Sequence, residues 1–185
     1  NIDLLSAWIE SQMAYSGQPG LSIAIIRDQD IVWSKGFGHS DVALESPAAP
    51  STIYRIASRT KLFTATSIMQ LRDDGKLQLD DPIIKHIPWF DIQDRYPDAP
   101  PITIRHLITH TSGLPREAAF PYWTDSEFPT RDQIVGALPN QQTVLPTETR
   151  WKYSNLALSL AGEIVETVSG ISYPEYVQSN ILDPL

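Results

Sequence analysis

Apolar residues recur at Leu4, Leu5, Trp8, Ile9 and Met13, the spacing of one helix face, and predict a helix over 2–15. Gly17, Pro19 and Gly20 end it. The period then changes. Residues 21–26 form a short apolar run, the polar Arg27-Asp28-Gln29-Asp30 follows, and 31–35 set Ile31 and Trp33 in alternation around Val32. Two β-rich runs about a short polar turn predict a hairpin, ended by Gly36 and Gly38, with a loop over 39–51.

From about Ser58 the helical period returns. Leu62, Ala65, Ile68, Met69 and Leu71 form a stripe closed by Gly75. Residues 77–87 read as a turn into a short helix that starts near Pro82, and 88–101 as a proline-rich loop. A short helix is expected over 103–109, with Thr103 as its N-cap, and another over 130–138. The longest stripe, from Leu156 through Leu160 and Ile164 to Val168, predicts a helix over 154–169 ended by Gly170. A last helix is expected over 173–181, with Pro174 in its first turn. The pattern is α+β, divided into a part with the hairpin (1–52) and a mostly helical region (53–185). A hairpin is marginal alone, since a stable sheet needs three or more strands or a covering helix. No other strong strand follows Lys35, so this sheet is expected to lack its remaining strands.

Composition removes several function classes. A chain of 185 residues with 42% apolar and 19% charged positions has room for one domain with a real core. A formal net charge of -8 without any Lys/Arg cluster argues against nucleic-acid binding. No apolar run approaches the roughly 20 residues of a membrane span. Residues 1–10 carry no basic stretch followed by an apolar one, so no signal peptide is expected in the given chain. The absence of cysteine excludes disulfides, a thiol nucleophile and cysteine-ligated metals. His39, His86 and His106 are too scattered for a metal-ligand set, and no cofactor is expected.

The candidate chemistry lies in Ser58-Arg59-Thr60-Lys61, a Ser-x-x-Lys opening a helix. Positions i and i+3 share a helix face, which brings the hydroxyl and the amine within reach. A serine hydroxyl needs a neighbouring base to become a nucleophile. An ordinary lysine amine is neutral only about once in 2,500 at pH 7, so lysine bases need burial or a nearby positive helix end to favour the neutral form. The same helix N-terminus aims backbone N–H groups at an oxyanion beside the serine. The second signal is Tyr153-Ser154-Asn155, just before the longest helix. A phenol beside a cationic amine has its pKa lowered and can relay a proton, while Asn155 could bind a substrate amide and hold Lys61. Each motif also has a structural reading: a solvated helix start for the first, a core tyrosine and a helix cap for the second.

Residues 53–65, around Ser58 and Lys61, resemble the active-site helix of the class C β-lactamase-like family. That family includes class C β-lactamases, D-Ala-D-Ala carboxypeptidases, D-amino-acid peptidases and related esterases. Asp74-Gly75-Lys76-Leu77 with Leu79-Asp80-Asp81-Pro82 looks like the family's turn after that helix. Residues 102–114, with His110-Thr111-Ser112-Gly113, resemble its most recognisable block. Tyr153-Ser154-Asn155 is similar to its second catalytic motif, and residues 181–185 to the end of a later helix. The tyrosine favours this branch over the class A branch, which has Ser-x-Asn there.

The resemblance implies a β-lactamase/DD-peptidase-like fold, of which these residues form the N-terminal part. It implies an acyl-enzyme mechanism in which Ser58 attacks a carbonyl, Lys61 and Tyr153 share base and acid duties, and Asn155 orients the substrate. It also favours a secreted or periplasmic location. Esters, β-lactams and D-amino-acid peptides are the candidate substrates, with esterase or peptidase activity favoured over true β-lactamase activity. The family's third motif, Lys-Thr-Gly or His-x-Gly on a later strand, is absent from this sequence. The fragment alone is therefore expected to be inactive, and a C-terminal segment or second chain to complete the sheet. The rival reading is a non-catalytic, penicillin-binding-like module that recognises a peptidoglycan-like or acyl ligand.

Other residues weigh less. His110 and Ser112, at i and i+2, do not share a helix face, and no Gly-x-Ser-x-Gly elbow exists, so His110 reads as structural. Asp80-Asp81 reads as a turn and helix cap. Trp33, Trp89 and Trp151 read as core, and Trp123, in a long loop among prolines, as a candidate for the substrate cleft.

Overall fold

The computed structural model describes residues 1–121 and 127–185; Trp123 lies outside the described residues. The chain divides into two compact units, Asn1–Ile56 and Ala57–Leu185.

In the first unit, helix α1 (Ile2–Ser16) begins at Asn1, whose side chain accepts from the Asp3 N–H at 3.0 Å, and ends at Gly17 in the left-handed conformation. Strands β1 (Gly20–Arg27) and β2 (Asp30–Asp41) form the hairpin, with Asp28 supplying a positive φ in the turn. Leu21 stands opposite Phe37 and Ile25 opposite Trp33, with an irregularity between Ile25 and Ile26. Leu21, Ile23, Trp33 and Phe37 pack with Leu5, Ile9 and Met13 of α1 into a small core. The covering helix thus supplies what a bare hairpin lacks.

The glycines do not end the second strand as expected. β2 runs on to Asp41 and pairs with a short third strand, β3 (Ser46–Pro47), in the order β1-β2-β3. The reason is close packing. A Cβ at Gly36 would lie 2.0 Å from the Ala48 carbonyl oxygen, and Gly38 takes a φ of 64°. Glycine here admits a neighbouring backbone rather than stopping the strand.

The second unit is helical. Ser58 lies in a 3-10 turn, Ala57–Arg59, that runs straight into α2 (Thr60–Asp73). A 3-10 turn at Ile83–Lys85 follows Pro82, and α3 (Ile104–Ile108) starts from a capping box of Thr103 and His106. Thr130 and Gln133 cap α4 (Arg131–Ala137) in the same way. Then come α5 (Asn155–Ser169), capped by Ser154 and Gly170, and α6 (Tyr173–Val177). The last helix is shorter than its pattern implied: beyond Val177 the backbone widens into a π-type turn, Gln178–Leu182.

Ile68 and Leu71 of α2 and Leu160, Ile164 and Val165 of α5 are at most 2% exposed and lie in one core with Ile83, Ile104, Leu107 and Leu114. Asp81 is not a helix cap. Its carboxylate accepts from the Gln78 N–H (3.0 Å), Lys85 Nζ (2.7 Å) and His86 Nε2 (2.8 Å), while Asp80 receives both arms of Arg105. Burial pushes the Asp81 carboxyl up, but its three donors outweigh that and bring it down to about 2. Trp151, expected in the core, is 67% exposed.

Candidate active site

Ser58 is held at the mouth of α2 by its neighbours. Ala57, a non-glycine residue, has a φ of 45°, a conformation that costs on the order of 1 kcal/mol and persists only when its surroundings enforce it. Ser58 and Lys61 then follow at i and i+3, and Lys61 Nζ donates to Ser58 Oγ at 3.2 Å. Tyr153, 95 residues further along, brings its hydroxyl to 2.6 Å from Ser58 Oγ. Lys61 Nζ lies 4.9 Å from the Tyr153 ring centroid. Two groups, one from the same helical turn and one from 95 residues away, thus converge on the Ser58 hydroxyl.

The surrounding charge favours the phenolate form of Tyr153. Burial raises the Tyr153 pKa, but hydrogen bonds from Lys61 and Ser58 and the positive charges of Lys61 and Arg116 outweigh it, and the net shift is downward. The Arg116 guanidinium lies 5.0 Å from the centroid of the same ring.

Asn155 is the first residue of α5. Its amide donates to Glu117 Oε1 at 2.6 Å, and its backbone N–H donates to the Arg116 carbonyl at 2.7 Å. Asn155 and Lys61 both line a cavity of about 250 Å3 that also reaches Ser58. Its lining also includes the apolar Ala118, Phe128, Ile134 and Leu156. A second cleft, of about 410 Å3, is also lined by Lys61 and Asn155, together with Glu163, Glu166 and Tyr173. Among the described residues, no group of three or more His, Asp or Glu side chains converges to hold a metal ion.

The segment 110–117 proves to be the frame for Tyr153 and Asn155. The Lys152 N–H donates to the His110 carbonyl (2.8 Å), the Ser154 N–H to His110 Nδ1 (3.2 Å), and Ser154 Oγ to the Pro115 carbonyl (2.6 Å). Ser154 is fully buried, so its own two bonds are shielded from water. Sequence reasoning did not reach Arg116 and Glu117. Their adjacency to the Thr111-Ser112-Gly113 block was the available signal, but nothing in the letters pairs Glu117 with Asn155 across 38 positions.

The chain is similar to known proteins over nearly its whole length. A family profile described as beta-lactamase matches residues 5–185. Protein flp of Staphylococcus aureus is 32% identical over 177 residues, covering 96% of this chain and 35% of its own. Among solved structures, the octameric penicillin-binding protein homologue of Pyrococcus abyssi superposes with a TM-score of 0.81 at 36% identity, over 100% of this chain and 43% of that one. A beta-lactamase/D-alanine carboxypeptidase of Yersinia pestis gives 0.79 at 30% identity, over 100% and 54%. The chain therefore spans about a third of that curated relative and about half of those solved structures.

Proposed function

The chain belongs to the beta-lactamase family, a family of serine hydrolases, and from that premise we propose that Ser58 is the nucleophile of an acyl-transfer reaction on ester or amide carbonyls. The observation that carries this reading is the convergence of Tyr153 Oη (2.6 Å) and Lys61 Nζ (3.2 Å) on Ser58 Oγ. Ser58 Oγ bonds to the carbonyl carbon as its proton passes to the Tyr153 phenolate, the nearer acceptor, with the Lys61 ammonium stabilising that phenolate. The tetrahedral oxyanion lies at the N-terminal end of α2, where free backbone N–H groups point outward. The leaving group departs with the proton from Tyr153, and water hydrolyses the ester left on Ser58.

Asn155, fixed by Glu117, is suited to present its amide oxygen to Lys61 or to a substrate N–H. The apolar part of the lining of the 250 Å3 cavity favours an acyl group with an aliphatic or aromatic side chain. Esters and D-amino-acid peptides are the favoured substrates over β-lactams.

The second half of this proposal concerns the rest of the site. A continuation of the chain, or a second chain, supplies the third motif and strands that cover the exposed apolar positions of β1 and β2, such as Ile26, Ile31 and Val32. Residues 1–185 alone then turn over substrate poorly or not at all.

The test is fluorophosphonate labelling of the intact protein with peptide mapping, followed by a panel of a p-nitrophenyl ester, a D-Ala-D-Ala peptide and nitrocefin. An adduct on Ser58 with turnover of the ester or peptide is the expected result. A folded intact protein that takes no label and hydrolyses nothing overturns the hydrolase in favour of a binding module. Full turnover by residues 1–185 without a partner overturns the second half.

A further inference from the structure

His110 belongs to neither half of the mechanism above, yet it touches Tyr153 on several sides. Its imidazole packs on the phenol ring, with centroids 4.6 Å apart and planes tilted by 34°. Its Nδ1 accepts from the N–H of Ser154, the residue after Tyr153, and its carbonyl accepts from the N–H of Lys152, the residue before. The Trp151 indole meets it edge-on at 5.9 Å. One residue therefore grips the backbone on both sides of Tyr153 and supports its ring.

This grip requires an unusual backbone. His110 has a φ of 60°, in the left-handed region that non-glycine residues seldom adopt. That turn allows the carbonyl and the side chain of one residue to serve the same short segment. The chemistry of the imidazole is fixed as well. A backbone N–H can only donate, so Nδ1 must be unprotonated and the neutral ring carries its proton on Nε2.

We propose that His110 is a positioning residue for Tyr153: as the neutral Nε2–H tautomer, it holds the phenol hydroxyl at Ser58 Oγ by accepting from the Ser154 N–H and packing beneath the phenol ring. The inference rests on the reading of Tyr153 as the group that moves the Ser58 proton. Burial, and secondarily the charge of Lys61, lower the His110 pKa and keep the ring in the form that can accept. A displacement of about 1 Å at a reacting group costs on the order of a hundredfold in rate, so a lost grip should be seen in kcat before it is seen in folding.

The test compares H110F, which keeps a ring and loses the acceptor, with H110N, which keeps an acceptor near the Nδ1 position and tolerates a positive φ. Measured on the intact protein with a p-nitrophenyl ester, H110F should lower kcat and the fluorophosphonate labelling rate about tenfold or more, with KM within about twofold. H110N should recover to within about threefold of the parent. Equal kcat in H110F and the parent, or an H110N as slow as H110F, overturns the inference.

A second measurement does not depend on any variant folding. Long-range 1H–15N correlation of the parent's His110 ring should report a protonated Nε2 and a bare Nδ1 at neutral pH, and a protonated Nδ1 overturns the inference. The two readings fail separately. A parent protein that takes no fluorophosphonate at Ser58 removes the nucleophile reading and this one with it. A labelled parent with an indifferent H110F removes this one alone.

Discussion

The two units of this protein use their apolar residues in opposite ways. In Ala57–Leu185, α2 and α5 enclose a continuous core of fully buried side chains, among them Ile68, Leu71, Ile104 and Ile164. In Asn1–Ile56, only Ile9, Met13 and Phe37 form a buried cluster, and Trp8, Ile26, Ile31, Val32 and Leu44 are left more than half exposed. The helical unit can therefore hold Ser58, Lys61 and Tyr153 in register from its own packing. The sheet unit has unspent apolar surface, which is what a partner element would bury. The proposed catalytic constellation needs a rigid frame, and the frame here is the helical unit.

Substitutions can break or sharpen that contrast, and the largest effect should come at the site. S58A is expected to abolish labelling and lower turnover of the intact protein by about a thousandfold or more, with no fall in Tm, because Ser58 is exposed and its loss opens no cavity. A Tm drop of several degrees would show that the site and the core are not separable. Next in size is the core itself. I164A in α5 should destabilise the helical unit by about 3 kcal/mol in denaturant titration. F37A in the small core should leave the protection of α5 amides from hydrogen exchange unchanged, and a global loss of protection would merge the two units into one cooperative block.

Y153F tests the proton route, with an expected loss of about a hundredfold in kcat. The phenol pKa is lowered, and in the proposed mechanism the phenolate is the active form. The rate should therefore fall as pH drops through the phenol's titration, and that limb should vanish in Y153F. An identical limb in Y153F would assign it to another group. A smaller effect is expected at Asp81. Its folded pKa, about 2, lies below the ordinary carboxylate value, so its contribution is complete above pH 4 and is lost as pH falls toward 2. D81N should cost about 2 kcal/mol at pH 7 and nothing near pH 2, read from Tm against pH. The smallest effect belongs to the exposed sheet face. I26K should change the stability of residues 1–185 by less than about 0.5 kcal/mol while reducing their self-association in sedimentation.

Much of this was readable in the chain because it depends on short-range periodicity. The stripe from Leu156 to Val168, the cap Thr103 and the closing Gly170 mark their helices directly, since capping and amphipathicity act within a turn or two, whereas the N-cap of α5 is Ser154 rather than the expected Asn155, which is already the first helical residue. The reach of Lys61 to Ser58 follows from helix geometry alone. Gly36 and Gly38 misled for a physical reason: a glycine that ends a strand and one that admits a neighbouring backbone are the same letter. The distinction lies in Ala48, twelve residues beyond Gly36.

By itself, then, the sequence determined the helices, the hairpin, the Ser58–Lys61 pair and the family to which they belong, because each is written in local spacing or in ordered motifs. Tertiary structure alone decided what surrounds Ser58. It brought Tyr153 across 95 positions to 2.6 Å, tied Asn155 to Glu117 and set His110 against the phenol. Those contacts join segments whose separation carries no period, and they exist only because the core beneath α2 and α5 fixes where each loop must return.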